Sequence, residues 1–382
     1  MRISADNRHH LSMMNTTTKA AILVRQNSPL TVATIRLPKL GVGQVLIKIE
    51  ASGICGKQVD EISGKQGSDP YLPHLLGHEG AGVVLDTGLG VRKVKEGDHV
   101  VLHWMKSSGI DSAPPKFSWK GKPLNAGWVT TFSEYTIASE NRMTVIPTDL
   151  NFEIAALFGC AVTTGFGIVF NNANLKPGQS IAVFGAGGVG LNVIQAASLV
   201  TAHPIVAIDK FASKLEDAMC FGGTHKIDAS NENVLKCLLE LSDGRGFDAV
   251  VDTTGNNAAR ETAFSATAKN GTTVLAGVPH VQDRMTIDSF SLHFGKRLIG
   301  SHGGNTNPDL DIPRYVQLYL QKKLKLDEQI SHRFHLDDIN EAIAQVQNGN
   351  AKKCIVLMTS RQNKNNGVRS SQKSKLQNAY SK

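Results

Sequence analysis

The sequence predicts an α/β protein in which a doubly wound parallel sheet lies beside a β-rich domain. A glycine-rich turn between two apolar strand-like runs occupies residues 180–209. Strand-like and helical segments alternate from that turn to about residue 304, a pattern typical of a parallel sheet covered by helices. Most of the first 150 residues are short strand-like runs separated by glycine and proline, which predicts a small, partly barrel-like β domain.

The glycine-rich turn predicts a dinucleotide site of the Rossmann type. It contains Gly185, Gly187, Gly188, Val189 and Gly190. In the spacing G-x-G-x-x-G the first glycine permits a tight turn, the second lets backbone approach a pyrophosphate, and the third lets the helix pack on the strand. Asp209 ends the second strand, 19 residues after Gly190. A carboxylate there accepts ribose hydroxyls and repels a 2′-phosphate, which favours NAD over NADP.

Length and composition favour a globular protein of two or three domains. The chain has 382 residues, of which 41% are hydrophobic and 19% charged. No apolar run reaches membrane-spanning length, and residues 1–18 have no apolar signal region, so we expect a cytoplasmic protein without membrane contact. The five cysteines are widely spaced and odd in number, which favours reduced thiols or metal ligands over disulfides.

The net charge of +8 is concentrated at one end of the chain. Residues 361–382 hold six Lys and Arg residues and no acidic residue. This polar segment is predicted to be a disordered basic tail, and residues 1–17 a disordered N-terminal extension. The remainder is nearly neutral, so no nucleic-acid partner is expected.

Between these ends the predicted elements follow a clear order. Residues 18–104 are strand-rich, and residues 105–130 form a polar excursion rich in proline and glycine. Strands return before a helical stretch over about 152–172, which leads into the glycine-rich turn. After residue 304 the pattern predicts helix, helix and strand.

Five motifs in this order resemble the zinc-dependent alcohol dehydrogenases of the medium-chain dehydrogenase/reductase superfamily. They are SGICG, GHEGAGVV, KEGDHVV, FGCAVTTGFG and GAGGVG. The resemblance covers about residues 18–360. It implies a catalytic GroES-like domain split into 18–161 and 305–360, which flanks a Rossmann NAD-binding domain at 162–304. It also implies a homodimer formed through Rossmann sheet edges, or a homotetramer.

The resemblance also implies a catalytic zinc site. The matching ligands are Cys55, His78 and Cys160, with Glu79 behind the metal and able to approach it. Zinc prefers thiolate and imidazole, and a catalytic site keeps one position open beside three protein ligands. Taken singly, each residue also has an ordinary structural interpretation, because buried cysteine commonly behaves as a small apolar side chain.

Further residues match the family's cofactor contacts. Thr164 matches the residue beside the nicotinamide, and Gly277 and Val278 match the loop that lines it. Lys214 is placed to reach the adenosine ribose, and Lys353 matches a basic residue on the pyrophosphate. A packing threonine and two surface lysines are the alternatives.

The sequence departs from the family at the proton relay. Lys57 stands where the family has Ser or Thr, Asp60 where some members have a relay His, and Gln58 where an Asp orients the zinc histidine. The Gln58 oxygen can still accept the imidazole N–H, without charge. Lys57 has three possible roles: to accept the alcohol proton, to bind an anionic or polyol substrate, or to face solvent.

The polar excursion also differs from the family. Many members carry four closely spaced cysteines there, whereas residues 104–130 contain none, so one zinc ion per chain and no structural zinc is predicted. Trp104 matches a position in the wall of the substrate pocket, with core packing as the alternative.

These features together predict an NAD-dependent, zinc-containing alcohol dehydrogenase. The changed relay favours a polyol, cyclitol or sugar derivative as substrate, while a simple aliphatic alcohol or a thiol adduct of formaldehyde remains open. The alternatives are a non-catalytic NAD-binding redox sensor and a zinc-free quinone or enoyl reductase on the same fold. Bound metal distinguishes the first interpretation from the other two.

Overall fold

The computed structural model describes residues 16–358. The two segments predicted to be disordered therefore lie outside the described residues, apart from residues 16 and 17. Thr17 is the first residue of a strand, whereas the predicted N-terminal extension ran to residue 17. Across 16–358, no helix is both long and apolar enough to cross a bilayer.

The N-terminal part is built from strands, as predicted. In chain order its elements are β1 (Thr17–Leu23), β2 (Thr31–Arg36), β3 (Gln44–Gly53), α1 (Gly56–Ile62), β4 (His74–Leu75), β5 (Glu79–Thr87), β6 (His99–His103), β7 (Phe117–Trp119), β8 (Lys122–Leu124), β9 (Tyr135–Ser139) and β10 (Met143–Val145). Strand β3 is central because both of its faces are largely buried, and it pairs antiparallel with β5 and β9.

The middle of the chain alternates strand and helix. Its elements are α2 (Phe152–Leu157), α3 (Ala161–Gly167), β11 (Ile181–Phe184), α4 (Gly188–Leu199), β12 (Ile205–Asp209), α5 (Ala212–Cys220), β13 (His225–Asp228), α6 (Val234–Leu241), β14 (Phe247–Asp252), α7 (Asn257–Ala266), β15 (Thr267–Leu275) and β16 (Arg297–Gly300). The six strands form one sheet in the order β13-β12-β11-β14-β15-β16, and every pairing is parallel. The order in which successive strands are added to the sheet reverses between β11 and β14, and that switch point is where doubly wound sheets bind dinucleotides.

The C-terminal part returns to the β-rich region. It consists of α8 (Pro308–Leu320), β17 (Ile330–His335), α9 (Ile339–Gln347) and β18 (Lys353–Leu357). Strand β18 pairs antiparallel with β3, so the last strand of the fold extends the sheet begun by the third. This pairing brings Lys353 to the end of β3, where the metal-ligand motif begins.

The single helix expected over about 152–172 is broken between α2 and α3. A Cβ on Gly159 would lie 2.4 Å from the Leu102 carbonyl oxygen and 2.8 Å from the Glu79 Cα. Glycine thus lets the chain press against β5 and β6, and Cys160 then leaves helical geometry with φ −150°. Helix α3 continues as a π-helical turn over Ile168–Ala173.

Buried polar contacts hold the excursion over residues 105–130. The Glu140 carboxylate accepts the backbone N–H groups of Arg92, Lys93 and Ile110 at 2.8–3.0 Å. Next to it, Asp309 at the start of α8 forms an ion pair with Lys93 at 2.5 Å and accepts the Ser108 N–H at 2.9 Å. Charged side chains and backbone groups thus tie the excursion to the segment that leaves the parallel sheet.

Asp309 provides a test of this arrangement through pH. Burial acts to raise the pKa of Asp309, but the Lys93 ammonium and the Ser108 N–H and hydroxyl outweigh it and lower that pKa to about 2. Because the ordinary value of 3.8 lies higher, the carboxylate stabilises the fold above about pH 4, and this contribution is lost as the pH falls towards 2.

We expect Asp309→Asn to lower the free energy of unfolding by about 1–2 kcal/mol at pH 7, an amount reduced by partial solvent exposure. Urea unfolding between pH 7 and 3 should show the difference from the wild type shrinking at the acidic end. Asp243→Asn is the control, since that carboxylate is exposed and lies 3.7 Å from the exposed Arg245 side chain. A difference that stays constant down to pH 3 would contradict the ionic role of Asp309.

Candidate active site

Three distant segments bring two thiols and an imidazole together. Cys55 follows β3 and begins α1, His78 immediately precedes β5, and Cys160 begins α3. The ligand atoms of these residues all lie within 4.8 Å of one another. The structure therefore joins the three predicted zinc ligands in one cluster.

Gly77 and Gln58 position the histidine of this cluster. Gly77 has φ +90°, and a Cβ there would lie 2.5 Å from the Thr131 hydroxyl oxygen, so glycine suits the residue before His78. The Gln58 amide nitrogen contacts His78 Nδ1, while its oxygen accepts the Cys55 N–H at 3.0 Å. The predicted contact between Gln58 and the imidazole is therefore present, with the amide nitrogen rather than the oxygen beside Nδ1.

The electrostatics of the cluster favour a bound metal cation. A hydrogen bond from Cys160 and the nearby His78 hold the pKa of Cys55 well below its usual value, whereas sharing that proton raises the pKa of Cys160. Within residues 16–358, His78 Nε2 is buried without a hydrogen-bond partner. A thiolate and a free imidazole nitrogen are the forms that ligate zinc, so the residues fit a Cys₂His site.

A buried ion pair lies directly behind the cluster. Glu79 is fully buried and its carboxylate contacts the Lys353 ammonium, which is only 5% exposed. Gly53 leaves room for this pair, since a Cβ there would lie within 3 Å of both side chains. Burial raises the pKa of Glu79, and the Lys353 charge opposes that rise. A buried carboxylate without its cation would be strongly destabilising, so we conclude that the two residues act as a unit.

Lys353 is therefore not the surface charge that the sequence left open as an alternative, since its ammonium is buried. Strand β18 runs beside β3 and directs this ammonium to Glu79, while its contact with the pyrophosphate stays a prediction. No local sequence pattern indicates the contact with Glu79, since the two residues are 274 positions apart.

The predicted dinucleotide turn lies at the carboxyl end of β11. Gly185 has φ +91°, and a Cβ on Gly190 would lie 1.8 Å from the Gly185 carbonyl oxygen. Gly187 precedes α4 and has open space around its Cα, as close approach of a pyrophosphate requires. Asp209 ends β12, and its carboxylate accepts the Ala186 N–H at 2.8 Å. The turn and the acid therefore adjoin, as the dinucleotide motif requires.

The other predicted cofactor residues lie on α3, in the segment after β15 and on α5. Thr164 is on α3, the helix that begins with Cys160. Gly277 follows β15 and packs so closely that a Cβ would lie 2.1 Å from the Gly255 nitrogen, and the neighbouring Val278 is exposed. Lys214 on α5 places its ammonium 4.9 Å from the Phe211 ring.

Trp104 and His302 form an aromatic wall after β6. Their rings meet edge to face with centroids 4.8 Å apart, and a Cβ on Gly303 would lie 2.8 Å from the Trp104 ring. This contact joins the β-rich region to the segment that follows the parallel sheet. His302 was not anticipated, since the tetrapeptide SHGG resembles an ordinary turn.

The Lys57 side chain has polar neighbours that the sequence analysis missed. Its ammonium donates a hydrogen bond to the Gln66 side-chain oxygen and lies 4.0 Å from the Glu61 carboxylate. Glu61 could have been found, because positions four apart share a helix face. Gln66 lies beyond α1 in a loop, where spacing indicates nothing about contacts.

Two sequence families match the chain. Residues 41–148 match the alcohol dehydrogenase GroES-like domain, and residues 188–321 match the zinc-binding dehydrogenase family. Alcohol dehydrogenase 6 of Peromyscus maniculatus is 32% identical over 365 residues, which cover 89% of this chain and 97% of that protein. The chain belongs to the zinc-dependent medium-chain alcohol dehydrogenase family. The S-(hydroxymethyl)glutathione dehydrogenase of Paracoccus denitrificans is likewise 32% identical, over 89% of this dehydrogenase and 99% of its relative.

Solved structures agree with this assignment. Benzyl alcohol dehydrogenase from Acinetobacter calcoaceticus is 26% identical with a TM-score of 0.82, over 90% of this chain and 99% of that one. An alcohol dehydrogenase zinc-binding domain protein from Burkholderia ambifaria has a TM-score of 0.84 at 28% identity, with the same coverage of both chains. The predicted family and fold class are thereby confirmed, and this dehydrogenase is a zinc-dependent oxidoreductase.

The glycines of the turn allow stability and cofactor binding to be separated. We expect Gly190→Ala to lower the free energy of unfolding by at least about 2 kcal/mol, because its Cβ meets fixed backbone. Gly187→Ala, with an ordinary φ of −80°, should change stability by less than about 0.5 kcal/mol yet weaken binding of NADH. Urea unfolding and NADH fluorescence titration measure the two effects. Equal destabilisation by both variants would contradict these separate roles.

Proposed function

We propose that this dehydrogenase oxidises an alcohol at a zinc ion held by Cys55, His78 and Cys160, with NAD as the hydride acceptor. The convergence of these three side chains within 4.8 Å carries the proposal. Glu79 is proposed as the acid that approaches the metal during ligand exchange. An NAD-binding redox sensor would need no such cluster, and a zinc-free reductase on the same fold would not use it.

The roles of the chain's own residues follow from where they lie. When bound, zinc supplies a Lewis acid that lowers the pKa of an alcohol, and NAD supplies the hydride acceptor. Cys55 and Cys160 contribute negative charge, and Gln58 orients the His78 ring. Lys353 balances the Glu79 carboxylate behind the cluster, so the site gains no unpaired buried charge.

The residues of the glycine-rich turn and its surroundings are proposed to bind NAD. The glycine-rich turn and the N-terminus of α4 receive the pyrophosphate, and Asp209 receives the adenosine ribose. The position of this carboxylate beside Ala186 N–H supports NAD over NADP, since a 2′-phosphate there would be repelled. Thr164, Gly277 and Val278 line the nicotinamide side, and Lys214 reaches the ribose from α5.

Lys57 is better suited to binding substrate than to accepting a proton. Its ammonium already donates a hydrogen bond to the Gln66 side-chain oxygen and lies 4.0 Å from the Glu61 carboxylate, so both neighbours hold it as a donor. We therefore assign Lys57 and Trp104 to the substrate pocket. Lys57 contributes hydrogen-bond donors there, and Trp104 contributes an apolar wall that excludes water.

The site lies between two proposed domains. We place the catalytic domain at 18–161 and 305–360, and the dinucleotide-binding domain at 162–304. Strands β17 and β18 support this division, because they extend the seven-stranded sheet begun by the N-terminal part. A reducing compartment such as the cytoplasm suits the five cysteines, none of which is in a disulfide in the described part of the chain.

The decisive experiment combines metal analysis with turnover. The purified protein should hold about one zinc ion per chain and form NADH with a panel of alcohols and polyols. A chelator should abolish NADH formation, and added zinc should restore it. Cys160→Ser should lose both the metal and the activity, because serine is a poor zinc ligand. Cys220→Ser, which changes an exposed thiol, is the matched control. Chelator-resistant turnover, or zinc retained by Cys160→Ser, would refute the proposal.

We also propose that two copies of the chain associate along β16. This strand is the outer edge of the parallel sheet, and unpaired edges readily accept another strand. Exposed apolar side chains follow β15 nearby: Val281 is 70% exposed, and Phe290 is 69% exposed with its ring 5.0 Å from Phe294. Apolar groups grouped beside an open edge are typical of an interface between subunits.

A single charged substitution at this surface tests whether the chain forms the proposed dimer. Light scattering should give the mass of a dimer for the wild type and of a monomer for Phe290→Asp, because a buried unpaired carboxylate opposes association. Leu89→Asp, at an exposed site in the β-rich region, should leave the dimer intact. A monomeric wild type, or a tetramer unaffected by Phe290→Asp, would contradict association through this edge.

A further inference from the structure

Three polar side chains stand together beside the metal-ligand cluster. Lys57 and Glu61 lie on one face of α1, the helix that begins at the ligand Cys55. Gln66 comes from the following loop and accepts a hydrogen bond from Lys57. We call Lys57, Glu61 and Gln66 the polar wall. Lys57 lies between the ligand Cys55 and Gln58, the residue that contacts His78, so the wall borders the cluster itself.

The polar wall is held in place by its loop. Gly64 and Gly67, on either side of Gln66, both have positive φ. The Gln26 side-chain amide stabilises the loop. Its nitrogen donates to the Gly67 carbonyl oxygen at 3.0 Å, and its oxygen accepts the Asp69 N–H at 3.2 Å. Gln66 is therefore preorganised rather than free to turn towards solvent.

The wall has hydrogen-bonding capacity that the protein does not use. Within the described part of the chain, Gln66 Nε2 is buried and has no partner. An amide nitrogen carries two donors, and the ammonium of Lys57 has three, of which Gln66 takes one. The Glu61 carboxylate, whose pKa is raised by burial, supplies acceptors. A buried donor without a partner is costly, so its retention points to a ligand group that satisfies it.

The charge of the wall selects the kind of ligand. The Lys57 ammonium lies 4.0 Å from the Glu61 carboxylate, so the positive charge is already compensated. An anionic substrate group would meet that carboxylate at close range and be repelled. A neutral hydroxyl both donates and accepts, which matches an unused amide N–H beside a carboxylate oxygen.

We propose that the polar wall binds a second hydroxyl group of the substrate, next to the one that is oxidised. The substrate class is then a neutral vicinal diol or larger polyol. This inference rests on the proposed dehydrogenase function. Gln66 is its specificity-determining residue, because its amide donors are unused without the second hydroxyl.

The test compares matched alcohols that differ in one hydroxyl: ethanol with ethylene glycol, and cyclohexanol with the vicinal cyclohexanediol. The zinc-loaded wild type should show kcat/KM at least about tenfold higher for each diol, because a site built to bond a hydroxyl rejects the analogue that lacks it. Gln66→Leu, of similar volume, should lower this preference about tenfold, and Lys57→Met should lower it as well. Lys65→Met, at an exposed neighbour that pairs with Asp60, should not.

Calorimetric titration of cyclohexanediol provides a readout that needs no turnover. Tighter binding to the wild type than to Gln66→Leu supports the wall even if no alcohol is oxidised, in which case the proposed function alone fails. Equal diol and monoalcohol kinetics, or equal cyclohexanediol binding by both proteins, would overturn the inference. A preference for glycerol phosphate over glycerol would also overturn it, in favour of an anion-binding Lys57.

Discussion

The need to bury two thiols, an imidazole and a carboxylate without leaving charge unpaired governs the centre of this fold. Three neighbouring strands place these groups at the same end of the sheet. Strand β3 ends two residues before Cys55, β5 begins just after His78, and β18 begins with Lys353. Because β3 lies between β5 and β18, the ligands Cys55 and His78 come from β3 and β5, and the Lys353 ammonium comes from the strand on the other side of β3. The buried ion pair between Glu79 and Lys353 thus joins the N-terminal and C-terminal parts of the chain, in addition to the backbone pairing of β3 with β18.

Features that depend on short sequence separations could be predicted from the sequence. The strand, glycine turn, helix and acid of the dinucleotide motif lie within 30 residues, and the structure has them as expected. The ligands Cys55, His78 and Cys160 are too far apart for spacing to join them, and only the resemblance to a family indicated that they meet. The structure then supplied the contact that the family motif could not.

The errors and omissions have a common cause in tertiary contact. The ion pair between Lys353 and Glu79 was missed because strand order decides where the ammonium lies, and no local pattern specifies that β18 pairs with β3. The break in the predicted helix arises from the approach of Gly159 to β5 and β6, which propensity cannot report. Gln66 was missed because its partner Lys57 lies in another element, nine residues away.

Helix α3 links the two halves of the chemistry. Its first residue follows the ligand Cys160, and its Gly165 packs so tightly on α4 that a Cβ would lie 2.5 Å from the Asn192 Cβ. Since α4 begins at the dinucleotide turn, this contact fixes the distance between the metal cluster and the place where the cofactor enters. Asn192 and Gln329 add reciprocal amide hydrogen bonds at 3.0 Å, which anchor α4 to the segment leading into β17. Hydride transfer requires reacting atoms held close and aligned, and a close-packed helix pair provides that alignment more rigidly than a loop would.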